Sequence, residues 1–178
     1  SMYETAKAFG MASSTMISPS GVSTTSRSEE SSVMERAIAA GNVGLRHTVN
    51  NALKLVDVMG QETPVFPGCA TPLVLDAADA AFVHGADGFG DTGYSRSTRA
   101  AANEHAALAI SRLSREFAGQ LTVVALGPLT NLALALRLDP ELPRRVARLV
   151  IMGGAVNGRG NTHLVPAEFK QNVRMNFT

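Results

Sequence analysis

The stretch Val123-Val124-Ala125-Leu126-Gly127-Pro128-Leu129-Thr130-Asn131 constrains the fold of this chain most strongly. An apolar run stops, turns on Gly-Pro and restarts with helical spacing, which predicts a strand delivering its carboxyl end to the start of a helix. A second apolar run, Leu149-Val150-Ile151-Met152, is closed by Gly153-Gly154. Strands separated by helical stretches need crossover connections, so they pair in parallel and bury both faces of the sheet. The expected fold is α/β: an open, mainly parallel sheet with flanking helices. Ligands of such sheets bind at the carboxyl ends of the strands, where turns leave backbone groups free and the next helix presents its N-terminus.

The remaining elements follow from spacing. Leu45, Val49, Ala52, Leu53, Val56 and Met59 recur every three or four residues with polar residues between them, and Gly60 follows; this predicts an amphipathic helix. Thr63–Gly68 reads as a short strand held to an edge or terminal position by its prolines. Residues 69–99 read as loop, helix returns over 100–117, and Asp139-Pro140 breaks the helix after the Gly-Pro turn. A short helix is expected from Glu141 toward Ala147. The first 40 residues differ: Ser/Thr-rich tracts between Ser13 and Ser28 lack an apolar period and predict disorder, with a short helix expected over Glu29–Ala40. The expected organisation is a non-family or disordered segment over 1–40 and an α/β domain over 41–178.

Composition excludes several classes of partner. Sixteen basic and 15 acidic residues nearly cancel without a Lys/Arg run, so neither nucleic acid nor an anionic membrane surface finds an electrostatic footprint. There is no Trp, and no aromatic platform for stacking bases stands out. Cys69 is the single cysteine, no stretch has the length of a spanning helix, and no apolar signal core appears between Ser1 and Ala12. These features point to a reducing, cytoplasmic setting.

Among residues able to carry chemistry, His84 lies in a Gly-rich loop near Asp87 and Asp91, where an imidazole serves as general acid or ligand contact or is simply solvated. His47 and His105 fall on helical patterns that favour exposure or a satisfied hydrogen bond. His163 has no assignable role. Asp76, Asp79, Asp87 and Asp91 invite a calcium reading, but their spacing is not that of an EF-hand loop. Cys69 reads as a passive buried thiol.

The motifs Gly41-Asn42-Val43-Gly44, His84-Gly85, Ala125–Ala133, Leu138-Asp139-Pro140, Met152-Gly153-Gly154 and Ala167-Glu168-Phe169 stand in an order and spacing that resembles the inosine/uridine-preferring nucleoside hydrolases over residues 41–168. The resemblance implies an open α/β fold, calcium-dependent hydrolysis of the N-glycosidic bond of ribonucleosides, and a homo-oligomer. It implies that the Leu126 carbonyl is a metal ligand, that Asn42, Met152, Asn161 and Glu168 bind the ribose, and that His84 faces the leaving base. The Asp-x-Asp-Pro-Gly-x-Asp-Asp cluster with which that family opens has no counterpart, since no Asp precedes Asp57. Two readings stay open: a nucleoside hydrolase, and a catalytically silent relative that binds nucleoside or acts through protein contacts.

Overall fold

The computed structural model describes residues 14–19, 35–74 and 76–152 of the 178. Five strands form one sheet: β1 (Ser14–Pro19), β2 (Glu35–Ile38), β3 (Val65–Pro67), β4 (Leu121–Ala125) and β5 (Val146–Ile151), in the order β3-β2-β1-β4-β5. The pairs β2–β3 and β4–β5 are parallel, and β1 runs antiparallel to both of its neighbours. The sheet is thus mainly parallel, as expected, with one reversed strand at its centre. Among the described residues five helices accompany it: α1 (Leu45–Val58), α2 (Ala81–His84), α3 (Ala106–Glu116), α4 (Thr130–Leu138) and α5 (Leu142–Arg145).

The period of two along a strand decides which helix covers which face. Ala37 and Phe66 are register partners and join Leu121 and Val123 in a core with Ile110 and Leu113 of α3, Leu132 and Ala135 of α4, and Leu142 of α5. Their sequence neighbours Ile38 and Val65 join Ala52, Leu53 and Val56 of α1 in a second core. Helices therefore flank the sheet on both sides. On β4 the alternation is complete: Leu121, Val123 and Ala125 are buried, while Thr122 and Val124 are half-buried.

Several expectations are corrected. Within Glu29–Ala40 the structure holds a strand, Glu35–Ile38, where a short helix was expected; residues 29–34 lie outside the described residues. Pairing with β1 and β3 outweighs the weak helical spacing. The charged pair Glu35-Arg36 disguises the strand. Arg112 of α3 lies 3.8 Å from the Glu35 carboxylate and stacks over the Phe66 ring at 5.8 Å, which gives the buried Glu35 a cationic neighbour at the surface, although Glu35 Oε2 accepts no hydrogen bond. Burial still pushes the Glu35 carboxyl above its ordinary range, and burial lowers the Arg36 guanidinium.

In the Ser/Thr-rich tract, where disorder was expected, Ser14–Pro19 forms β1. Residues 100–105, expected as helix, are not helical: the Ala102 amide donates to the Val65 carbonyl at 2.9 Å, and α3 starts only after the imidazole of His105 accepts from the Ala107 amide at 3.2 Å. A side-chain cap thus sets that boundary. The short helix toward Ala147 stops at Arg145, and β5 begins at Val146. A bulge between Leu121 and Thr122 fits the extra β5 residue into the ladder.

One carboxylate organises the α3–α5 layer. Asp139 is buried and accepts from Ser111 Oγ at 2.6 Å, from Arg115 at 2.6 Å and from Arg145. The hydrogen bond from Arg145, then that from Ser111, holds its carboxyl well below the usual carboxylate range. No helix among the described residues is long and apolar enough to cross a membrane.

Candidate functional site at the strand carboxyl ends

The register brings the strand exits to one edge. Ile38 pairs with Pro67 and with Ser14, Ala125 with Thr15 and Ile151, so the turns after β2, β3, β4 and β5 lie side by side. They carry Ala39–Asn42, Gly68-Cys69, Leu126–Pro128 and Met152 respectively. Backbone hydrogen bonds join them: Ala40 N to Cys69 O at 2.9 Å, and Met152 N to Ala125 O at 2.8 Å. A small hollow of about 20 Å³ lies among the first three turns, lined by Gly41, Cys69 and Pro128.

Asn131, in the first turn of α4, fastens this edge. It is 1 % exposed. Its Oδ1 accepts from the Cys69 amide at 2.8 Å and its Nδ2 donates to the Ile38 carbonyl at 3.0 Å. One side chain thereby bridges β2, the turn after β3 and α4, which fixes where the Leu126-Gly127-Pro128 turn sits relative to the other exits. The contact is close enough that a Cβ on Gly68 would fall 2.2 Å from Asn131 Oδ1. Nothing in the motif reading assigned Asn131 a task; the signal was a carboxamide among the core positions Leu132 and Ala135 of the same helix. Cys69 is half-buried, and burial pushes its thiol up.

Three of the sequence-expected residues therefore come together. Asn42, Leu126 and Met152 all occupy strand exits on this edge. Leu126 is buried, Asn42 is half-buried and Met152 is exposed. Asn161 and Glu168 lie outside the described residues. His84 stands apart at the end of α2. That helix is anchored where the Ala80 amide donates to the Asn42 carbonyl at 2.7 Å, but His84 itself lines a groove against α1.

The loop after His84 is tightly turned. Asp87 Oδ1 accepts from the Phe89 amide at 2.7 Å and the Asp91 amide at 3.0 Å, and these bonds hold its carboxyl below the ordinary value. Asn51 of α1 donates to the Asp87 carbonyl at 2.9 Å. Gly88 (φ 71°) lies so close to α1's leading residues that a Cβ would approach Val43 Cγ2 to 2.5 Å. Of the four aspartates that invite a calcium reading, Asp87 and Asp91 thus belong to a self-capping turn, their carboxylates used on amides of that turn.

The described residues do not fit a calcium ion at the strand exits. Calcium takes about six to eight oxygens, carboxylates among them, and the Leu126 carbonyl supplies one. Among the described residues no three His, Cys, Asp or Glu side chains converge as a metal site would need.

A mainly parallel sheet with helices on both faces, and with its polar and backbone groups collected at the strand carboxyl ends, defines an open α/β protein of the ligand-at-the-exits class. Comparison with known proteins specifies it further. The sequence model of the inosine-uridine preferring nucleoside hydrolases matches residues 26–173, and the chain belongs to that family. It is 42% identical over 122 residues to the non-specific ribonucleoside hydrolase RihC of Escherichia coli (strain SMS-3-5 / SECEC), covering 68% of this chain and 40% of that protein. Among solved structures it is similar to the plant nucleoside hydrolase PpNRh1, with TM-score 0.66 and 40% identity over 71% of this chain and 41% of that one. It is also similar to the purine-preferring ribonucleoside hydrolase from Gardnerella vaginalis, with TM-score 0.66 and 34% identity over 70% and 41%. The chain spans about two fifths of the length of these relatives.

Proposed function

We propose that the protein acts on ribonucleosides, hydrolysing the N-glycosidic bond, and that the strand exits around Leu126 receive the ribose. The observation that carries this reading is the gathering of Asn42, Leu126 and Met152, which come from motifs far apart in sequence, on one sheet edge. In this reading the Asn42 carboxamide, which both donates and accepts, serves a vicinal diol. The Met152 thioether packs along the sugar. Asn161 and Glu168 complete the contacts to the ribose, and His84 serves the departing base as a proton donor. The assembly is a homo-oligomer and the setting cytoplasmic, the latter supported by the single cysteine. Calcium is the ion this family resemblance implies; the described residues do not fit it.

A second reading, binding without cleavage, is favoured by one observation. Removing a proton from the attacking water needs a base, and the described carboxylate three residues after His84, Asp87, is committed to the Phe89 and Asp91 amides. One experiment separates the two. Base release from inosine and uridine is followed in added calcium and in chelator, beside the melting temperature with and without inosine. Calcium-dependent release supports the hydrolase. A melting temperature raised by inosine without release supports the binder. The absence of both effects refutes ribose binding at this edge.

A further inference from the structure

A groove of about 390 Å³ opens between α1 and the segment 83–94, on the outer side of the helix. Its position is separate from the strand exits. The first turn of α1 abuts them, with Thr48 Oγ1 donating to the Ala39 carbonyl at 3.0 Å, whereas Lys54 is nine residues beyond Leu45, about 14 Å along the axis. The volume falls within the range of small-molecule sites, about 300–1,000 Å³.

Its walls are apolar and wet. Val58 is 66% exposed and Tyr94 is 64% exposed, Val83 is exposed as well, and Leu55 is the buried residue beneath them. Scattered exposed apolar residues need no explanation; here they come from both walls and frame one concavity. The Phe89 and Tyr94 rings stand 5.9 Å apart at 57°, which leaves an aromatic surface for a flat ring. The Asp87 turn, the Asn51 bond and the seat of Gly88 on Val43 hold the segment that carries both rings, so that surface is preformed.

The charge of the groove is one-sided. Among the described residues no carboxylate lines it, and its one permanent cation is Lys54. The Lys54 ammonium donates to a neutral hydroxyl, Ser95 Oγ, at 3.3 Å. The neighbouring acid on the same helix, Asp57, is held by Arg99 at 2.5 Å. One ammonium beside one hydroxyl offers donors for two oxygens and neutralises one charge, which matches a carboxylate better than a phosphate dianion.

We propose that this groove binds a small planar aromatic carboxylate, its ring on Phe89 and Tyr94 and its oxygens on Lys54 Nζ and Ser95 Oγ. The test uses 2-naphthoate and its neutral isostere 2-naphthamide, titrated into the whole chain and followed by naphthalene fluorescence; the chain has no Trp to obscure it. An exposed ion pair predicts that naphthoate binds about fivefold tighter than the amide. Lys54→Gln, a change on the outer face of α1, brings that ratio to about one, and Tyr94→Ser weakens both ligands. In amide NMR spectra naphthoate shifts Phe89, Gly90 and Thr92. The proposal is overturned by equal binding of the two ligands, by no binding of either, by a ratio that survives Lys54→Gln, or by shifts at Gly127 and Met152 instead. The nucleoside reading places His84, which also lines this groove, beside the departing base; the Lys54→Gln ratio and the Phe89, Gly90 and Thr92 shifts do not read His84, so failure here is distinguishable from failure of that reading.

Discussion

Replacing Asn131 with alanine tests whether one carboxamide holds the candidate site together. The substitution strips the partner from the Cys69 amide, 2.8 Å away, and from the Ile38 carbonyl, 3.0 Å away. Each buried backbone group left unsatisfied costs about 1–3 kcal/mol, so the expected loss for the two is about 2–6 kcal/mol. Domain stabilities are about 5–15 kcal/mol; this loss is a large share. With a urea slope of about 2 kcal/mol/M, the midpoint drops by about 1–3 M, read by far-ultraviolet circular dichroism at pH 7. The sharper test is a cycle with Gly68→Ala. Its methyl would meet Asn131 Oδ1 at 2.2 Å and Cγ at 2.6 Å, and an amide bonded at both ends has no room to yield. Overpacking of this kind costs about 1–3 kcal/mol. In the Asn131→Ala background the obstructing atoms are gone, so Gly68→Ala becomes nearly neutral and the two changes couple strongly. Additivity within about 0.5 kcal/mol would refute the staple.

Two further outcomes are expected. Leu113→Ala, at a 2 % exposed position facing Ile110 and Leu132 in the larger core, costs about 2–5 kcal/mol in urea unfolding, and a loss below about 1 kcal/mol would contradict the packing described. Asp139→Asn lowers the melting temperature at pH 7 and flattens its acid dependence. The folded carboxyl titrates below its ordinary value, so its contribution is full above about pH 4 and fades as pH falls further. Wild type and variant therefore converge in acid, and a gap that stays constant from pH 7 to pH 3 would contradict this.

The elements most legible in sequence are those whose own pattern agrees with their packing. The strand–turn–helix from Leu121 to Leu138 is visible because alternating burial on β4 and the Gly-Pro turn tell the same story. Residues 35–38 were illegible because Glu35 and Arg36 are polar letters in a buried strand, and only Arg112, 77 positions later in the chain, accounts for Glu35. The start of α3 was placed six residues early because a run of alanines carries no boundary signal; the capping imidazole of His105 and the pull of Val65 on Ala102 supply one in three dimensions. At the sheet edge, the carboxyl ends of β4 and β5 were readable from their apolar runs and the glycines that close them. Asn131 was hidden because its partners are backbone atoms, which leave no mark on composition. The groove was hidden because Lys54, Phe89 and Tyr94 share neither an element nor a motif.

The reversed central strand has a consequence for how the sheet is assembled. Three of its four pairings close short stretches of chain: Ser14 meets Ile38, Ala37 meets Phe66, and Val123 meets Leu149. The fourth joins Thr15 to Ala125, 110 positions later. Loop-closure entropy grows only with the logarithm of length, so this one long closure costs about 1.2 kcal/mol more than a closure a quarter as long. Its burden falls on rate instead, because distant partners meet slowly. Two parallel pairs, each assembled from nearby residues, become a single sheet only when Ser14–Pro19 is caught between them, and six residues of backbone hold the two halves in register.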